Sequence, residues 1–476
     1  MTRYGDFSTI IMVENEYFNK FAAMKAKNIL IFIIGSLFIP LYLASCGEDR
    51  WPEYAQQTRT DSWIDDTMRV WYYWNEDIPS SKTLNYFSAP SVFFKSLLSK
   101  QDKFSTIDSI TTSSSRSLIK PEYGYGIQFA LDQVKNNDTA YYARVLYAVH
   151  NSPASDANLD RGKWIMALNN QPITKKNYAQ LFGGNGMSLT VGHYDADKDT
   201  IVAYNGSVAL SASTSLNDNP VYYCNTYIKG NNRIGYLVYN RFSPGSYDNA
   251  TQYDQALLEA SKYFAGQNIN QLILDLRYNN GGSLGSAQLL CTILAPSDKL
   301  GSQLGYLEFN KKITPREQSF MLDKALIANG ANLNLNTLYV LTSSETASAS
   351  EMVINCLKPY MSEIVLIGQK TVGKNVGSKT FVNTELQIAI SPIVCKVYNS
   401  KSSSDYSSGF TPDYPLSESS NLSTYLPFGN ENETLLAKAL SIITNTNSSV
   451  SGKQSFKVTP ILNSISRKAT HAVRID

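Results

Sequence analysis

Only three of the 476 residues are histidine, His150, His193 and His471, and that scarcity constrains any serine chemistry. A serine nucleophile needs a base beside it. Two of these histidines fall in a region of short strands and the third in the tail, and no Gly-x-Ser-x-Gly elbow lifts a serine above a sheet. The other base is a lysine, whose amine must be kept neutral by burial or a nearby positive field. Thr342-Ser343-Ser344-Glu345-Thr346-Ala347-Ser348-Ala349-Ser350-Glu351 follows an apolar strand and precedes a helix running towards Pro359. A serine there opens a helix, where unpaired N–H groups and the positive dipole end favour the anion formed when a hydroxyl attacks a carbonyl. Small Ala347 and Ala349 leave room for a substrate backbone. The same stretch also reads as a Ser-rich N-cap, so on these residues alone catalysis and capping both stand.

The elements that must position such a serine begin near Asn219, where strands alternate with helices. Ile234 to Tyr239 reads as a strand, and Tyr253, Ala256, Leu257, Ala260 and Phe264 recur at helical spacing before Gly266. Gln271 to Leu276, Leu338 to Thr342 and Ile364 to Ile367 are short, nearly all-apolar strands. Such strands between helices predict a largely parallel sheet covered on both faces. Upstream, the aromatic-rich stretch from Trp51 to Ile110, with Trp63, Trp71, Tyr72, Tyr73 and Trp74, predicts short amphipathic helices whose rings pack a core, followed by a Ser/Thr linker at residues 111–117. Residues from about 122 to 214 predict short strands, including Tyr125 to Leu131, Ala143 to Val149 and Met187 to Val191. The tail after Thr444 is Asn/Ser-rich, and residues 467–476 carry no periodicity that assigns them to an element.

Composition narrows the function. Hydrophobic residues make up 43% and charged residues 17%, a globular balance that excludes a disordered chain or a coiled coil. Lys and Arg total 42 against 40 Asp and Glu, so no basic footprint for nucleic acid exists. No CxxC or HExxH spacing occurs, which argues against metal chemistry. Lys25 and Lys27 precede an apolar run from Ile29 to Leu43 that ends in Leu43-Ala44-Ser45-Cys46 and turns polar at Gly47-Glu48-Asp49-Arg50. The run is short for a membrane span and fits an export signal. Its end resembles the bacterial lipobox, which implies cleavage before Cys46 and a lipid on its thiol. Met24 makes a better start for that signal than Met1, because residues 1–23 carry Asp6, Glu14 and Glu16. Glu48-Asp49 resembles the surface-export signal of some Gram-negative lipoproteins. Cys224, Cys291, Cys356 and Cys395 are widely spaced and predict buried thiols.

Two resemblances organise the chain. Asn151-Ser152-Pro153-Ala154, with Leu159 through Gly162-Lys163-Trp164-Ile165 to Asn169-Asn170-Gln171-Pro172-Ile173, resembles the PDZ fold, with Lys163 where Asp is usual. The resemblance implies that Tyr125-Gly126-Ile127 presents N–H groups to a peptide carboxylate, the peptide joining as an edge strand. Ser348-Ala349-Ser350-Glu351, then Gly368-Gln369-Lys370-Thr371-Val372-Gly373-Lys374, resembles the carboxyl-terminal processing peptidases, or tail-specific proteases. Leu274-Asp275-Leu276-Arg277-Tyr278-Asn279-Asn280-Gly281-Gly282 and Gly409-Phe410-Thr411-Pro412-Asp413 match two further motifs of that family in order. By position, the resemblance makes Ser348 the nucleophile and Lys374 the general base. It assigns the oxyanion hole to the N–H of Gly281 or Gly282 with that of Ala349. Asp275 and Arg277 become structural residues of the turn, and Glu351 is a supporting or capping carboxylate. Ser378 stands where many members have a Gln that orients the base.

The expected organisation is therefore multidomain α+β. A signal peptide spans residues 1–45, a small helical domain with its linker 46–118, and a PDZ-like β domain 119–214. An α/β protease domain of the crotonase/ClpP-like kind spans 215–445, and a tail 446–476. The expected activity is that of a serine endopeptidase that captures extended or unfolded polypeptides by their C-termini and cuts them through a Ser/Lys dyad. It needs no cofactor or metal and is lipid-anchored in a Gram-negative cell envelope. The alternative is an inactive peptide-binding lipoprotein scaffold. Oligomeric state and substrate identity do not follow from these residues.

Overall fold

The computed structural model describes residues 51–110, 122–134, 141–246, 248–446, 458–468 and 473–474. The expected signal, Cys46 and the 111–117 linker lie outside those residues. The chain divides into two compact units, residues 1–62 and 63–476. Of the first, the described part is the opening of helix α1 (Trp51–Trp71).

In the second unit, Ile64, Met68 and Tyr72 recur every four residues and so share one helical face. They pack with Phe93 and Phe94 of α2 (Pro90–Ser96), which opens on Pro90, where a missing N–H costs nothing. β1 (Thr106–Ser109) follows. An antiparallel module comes next: β2 (Ile127–Val134), β3 (Tyr141–Ala148), β4 (Lys163–Leu168), β5 (Met187–Asp195) and β6 (Thr200–Ala203), paired in that order. Phe129, Val145, Ile165 and Leu189 close its core.

The α/β region runs β7 (Val221–Lys229), β8 (Asn232–Tyr239), α3 (Gln252–Gly266), β9 (Gln271–Asp275) and α4 (Leu284–Leu294). It continues through β10 (Gln303–Phe309), β11 (Glu317–Met321), β12 (Thr337–Thr342), α5 (Ala349–Leu357) and β13 (Glu363–Gly368). β14 (Val376–Ser378), β15 (Phe381–Asn383), β16 (Ile388–Ser391), β17 (Ile393–Asn399), β18 (Tyr414–Pro415) and α6 (Thr434–Ile443) complete it. The central sheet has the order β7-β8-β9-β12-β13-β18 and is parallel from β8 onward, with β7 antiparallel at one edge. Leu272 and Leu274 of β9 enter one core cluster and Ile273 the other. That alternation explains why the strand reads as continuously apolar: both of its faces are covered. The loops leaving β9, β12 and β13 all emerge at the carboxyl end of the sheet, where open α/β sheets bind ligands.

The tail forms β19 (Val458–Asn463), α7 (Ser464–Lys468) and β20 (Val473–Arg474). β19 extends the antiparallel module beyond β2, and β20 pairs in parallel with β14 at the edge of a sheet ordered β11-β10-β17-β14-β20. The sequence carried no signal for either pairing. Cys291, Cys356 and Cys395 are buried free thiols and Cys224 is a half-buried one. Burial pushes all of their pKa values up, that of Cys224 to about 12. Among the described residues no helix is long and apolar enough to cross a membrane, and no group of His, Cys, Asp or Glu side chains could hold a metal ion.

Candidate active site

Ser348 stands at the head of α5 with φ 61° and ψ −112°. A positive φ at a residue with a Cβ costs energy and persists only where surrounding contacts over-determine it. Those contacts come from the β9 loop. The Ala347 N–H donates to the Asn279 carbonyl at 3.2 Å and the Ser350 hydroxyl donates to the same oxygen at 2.9 Å. The Thr346 hydroxyl donates to the Leu276 carbonyl at 2.8 Å, and that of Ser343 to the Arg277 carbonyl. Ser348 is 0% exposed, and its Oγ has no hydrogen-bond partner among the described residues. A buried hydroxyl left unpaired is costly unless something else uses it.

Gly281 lies against that serine. A Cβ on Gly281, whose φ is 107°, would stand 2.7 Å from Ser348 Cβ and 3.1 Å from the Ala349 nitrogen, so only glycine fits. Its own N–H is spent on Asn279 Oδ1 at 2.9 Å. Of the three amides expected to form an oxyanion hole, Gly282 and Ala349 therefore remain, and neither is bonded among the described residues. Asn279 is fully buried and its Nδ2 donates to the Tyr239 carbonyl at 2.9 Å, which ties the loop to β8. Its place in the motif was legible from sequence, but its part in the site was not.

Lys374 is 4% exposed and arrives on the loop after β13. Its Nζ rests 4.8 Å from the centroid of Phe104, a ring supplied by the N-terminal helical region. Burial pulls the amine down to about 8, while the charges of Glu351 and then Asp102 limit the fall. Asp102 is held by the Tyr72 hydroxyl at 2.8 Å and by the Phe104 and Ser105 amides. Neither Phe104 nor Asp102 is legible in the sequence as a neighbour of Lys374, because nothing in their spacing links them to a loop some 270 residues away.

Glu351 joins the two loops. Its Oε2 accepts the Ser348 N–H at 2.9 Å and the Lys374 N–H at 2.7 Å, and its Oε1 accepts the Gly373 N–H at 2.7 Å and the Thr371 hydroxyl at 2.5 Å. One oxygen thus bounds how far apart the Ser348 and Lys374 backbones can lie. Burial pushes this carboxyl above its ordinary value, against the pull of the Thr371 hydroxyl and the three amides. The Phe410 N–H donates to Thr371 Oγ1 at 2.7 Å and the Leu366 N–H to Asp413 Oδ2 at 2.8 Å, so the last sequence motif braces β13 and the loop that carries Lys374. Ser378 is buried in β14 and makes no hydrogen bond to Lys374 among the described residues.

A buried ionic cluster backs the β9 loop. Arg277 meets Asp275 at 2.8 Å and Glu433 at 2.6 Å, Arg161 meets Glu418 at 2.9 Å, and Arg144 meets Asp132 at 2.8 Å. Tyr236 donates to Asp275 at 2.7 Å. Burial opposes ionisation of Glu418, yet Arg161, Arg277 and Arg144 hold its carboxyl down at about 2. Tyr125, Gly126 and Ile127, expected to cradle a carboxylate, sit at the entry to β2 and are buried. The Val149 N–H closes on the Gly126 carbonyl and that of Ala154 on the Tyr125 carbonyl, both at 2.8 Å.

The fold and these loops define a multidomain α+β protein with a serine strained at a helix head against a glycine loop. Comparison with known proteins gives that arrangement a family. Residues 233–416 match peptidase family S41, and residues 59–106 match the peptidase S41 N-terminal domain. A crystal structure of a candidate S41 protease from Bacteroides fragilis NCTC 9343 is 43% identical, with TM-score 0.75, over 80% of this chain and 97% of its own. The chain belongs to peptidase family S41, and a polypeptide substrate follows from that membership. A photosystem II D1 C-terminal processing protease is 16% identical with TM-score 0.46 over 80% of this chain and 98% of its own. Mature CPAF complexed with lactacystin is 10% identical with TM-score 0.40 over 82% and 97%. No curated protein sequence matches significantly.

Proposed function

We propose that this peptidase is a serine endopeptidase that works through Ser348 and Lys374. The neutral Lys374 amine removes the proton from Ser348 Oγ as the oxygen attacks a peptide carbonyl, and the Gly282 and Ala349 N–H groups receive the oxyanion. The leaving amine takes the proton, an acyl-enzyme remains on Ser348, and Lys374 then activates the water that releases it. The observation that carries the reading is Glu351 Oε2, which accepts from the backbones of both residues at 2.9 and 2.7 Å. The lowered amine pKa adds to it; the Ser348 hydroxyl is not hydrogen-bonded to that amine here and closes on it as substrate binds.

In the same reading, the β2–β6 module is PDZ-like and takes an extended polypeptide at its edge, and Cys46 carries the lipid that tethers the enzyme in a cell envelope. The test is cleavage of an unstructured casein by the wild type, Ser348→Ala and Lys374→Ala, with circular dichroism as the fold control. Cleavage is expected to vanish in both variants while the spectrum stays unchanged. Equal cleavage by all three would remove the dyad, and no cleavage by any would favour a peptide-binding scaffold.

A further inference from the structure

β2 is the strand whose free edge the PDZ-like reading reserves for a peptide, and that edge is filled. β19 pairs with it antiparallel, Val458 opposite Val134 through Asn463 opposite Ala130. The polarity is that of a peptide whose C-terminal end approaches the start of β2. There the chain does not end. Ser464 supplies a hydroxyl that accepts the Phe129 N–H at 2.9 Å and donates to Gln128 Oε1 at 2.9 Å, taking up a β2 amide much as a terminal carboxylate would.

Beyond Ser464 the segment crosses the catalytic loops. Ile465 is 2% exposed in the core, its carbonyl accepts from Asn280 Nδ2 at 3.1 Å, and the Ser466 hydroxyl donates to Glu345 at 2.8 Å. Asn280 neighbours Gly281, and Glu345 lies three residues before Ser348. A cavity of about 1030 Å³ runs from Phe182 and Leu146 to Tyr278 and Glu345, and tail residues 460–463 with Ser466 line it. It does not reach Ser348, which is 0% exposed. β20 then pairs with Gly377 and Ser378, just past Lys374. The grip of β19 itself is light: its burial runs from half-buried to exposed, Ile461 is 45% exposed, Pro460 has no N–H to give, and the register shifts between Pro460 and Leu462.

We infer that the segment from Val458 to Ser466 is an internal occupant of the substrate path, holding the β2 edge until an extended polypeptide displaces it. The inference rests on the PDZ-like capture proposed above. Strand exchange at an edge keeps the main-chain hydrogen bonds and trades only side-chain contacts, so a substrate with better side chains for the cavity wins.

The test uses the full chain and a fluorescein-labelled peptide of sequence Val458 to Ser466. Gln133→Cys with Thr459→Cys joins two directly opposed residues, and oxidation would lock the tail in place. Ser464→Ala with Ile465→Asp would release it. The expected results are at least tenfold tighter peptide binding and at least tenfold higher kcat/KM on casein for the release variant. The oxidised lock should neither bind nor cleave, and reduction should restore wild-type values. Equal peptide binding by wild type, release variant and oxidised lock would overturn the inference while leaving capture intact. No binding in any arm would overturn the inference and capture together. If the release variant fails to fold, the oxidised and reduced forms of the lock decide: no difference between them overturns the inference.

Discussion

Single residues set the pH behaviour. With the Lys374 amine at about 8, kcat/KM should climb through pH 8 and level off above it, because only the neutral amine is a base. Glu351→Gln removes the charge that most favours the ammonium form, so the rising limb should move to lower pH. The same variant places an amide among donors and should lower kcat by about 10- to 100-fold, with KM little changed. Titrating both enzymes separates these effects, and an unmoved limb would mean Glu351 only braces the loops. The amine also bears on stability. Its folded value lies below the ordinary 10.5, so the unfolded chain binds more protons between pH 8 and 10.5 and stability rises with pH across that window. Lys374→Met should therefore be more stable by about 3 kcal/mol at pH 7 as an upper figure, and the gain should fade above pH 10. Thermal melts at the two pH values check it.

At the scale of elements, the site is three loops fastened to one sheet and backed by an ionic cluster. Arg161 lies outside the central sheet, yet its guanidinium meets Glu418 and Glu433, which also receive Arg277 from the β9 loop. Removing one member of a buried cluster strands the others, so Arg161→Met should cost about 3–5 kcal/mol, read as a lowered Tm. Glu418, with a folded value near 2, adds stability that is complete above its unfolded value and lost as pH falls from about 4.5 towards 2. This architecture was partly legible. β8, β9, β12 and β13 were readable because strands covered on both faces must be apolar throughout, and the head of α5 because Ser and Ala before a helical run mark an N-terminus. The partners Glu418 and Glu433 were not, since charged residues far apart in the chain leave no periodic trace of their pairing. β19 was hidden for the opposite reason. A half-exposed edge strand with a proline and a bulge keeps neither alternation nor continuous apolarity. Glu351 was legible as a supporting or capping carboxylate but its partners were not, because its bonds to Thr371, Gly373 and Lys374 depend on how β12 and β13 pair.

For the whole molecule, the proposed tether adds a surface on which capture and cutting would occur. Cys46→Ala should abolish incorporation of labelled palmitate and shift the protein from the membrane fraction to the soluble one. Unchanged fractionation would assign anchoring to some other segment. The N-terminal helical region is more than a leader for the rest of the chain, since the Phe104 ring lies against the Lys374 amine and Tyr72 fixes Asp102, whose charge acts on it. The three enclosed sulfhydryls, Cys291, Cys356 and Cys395, extend the same logic to time. Protonated and shut away from reagent, they can react with iodoacetamide only when the interior opens. Their alkylation rate should thus serve as a clock for global opening events, slowing when an occupant stiffens the fold and running independently of reagent concentration once opening limits it.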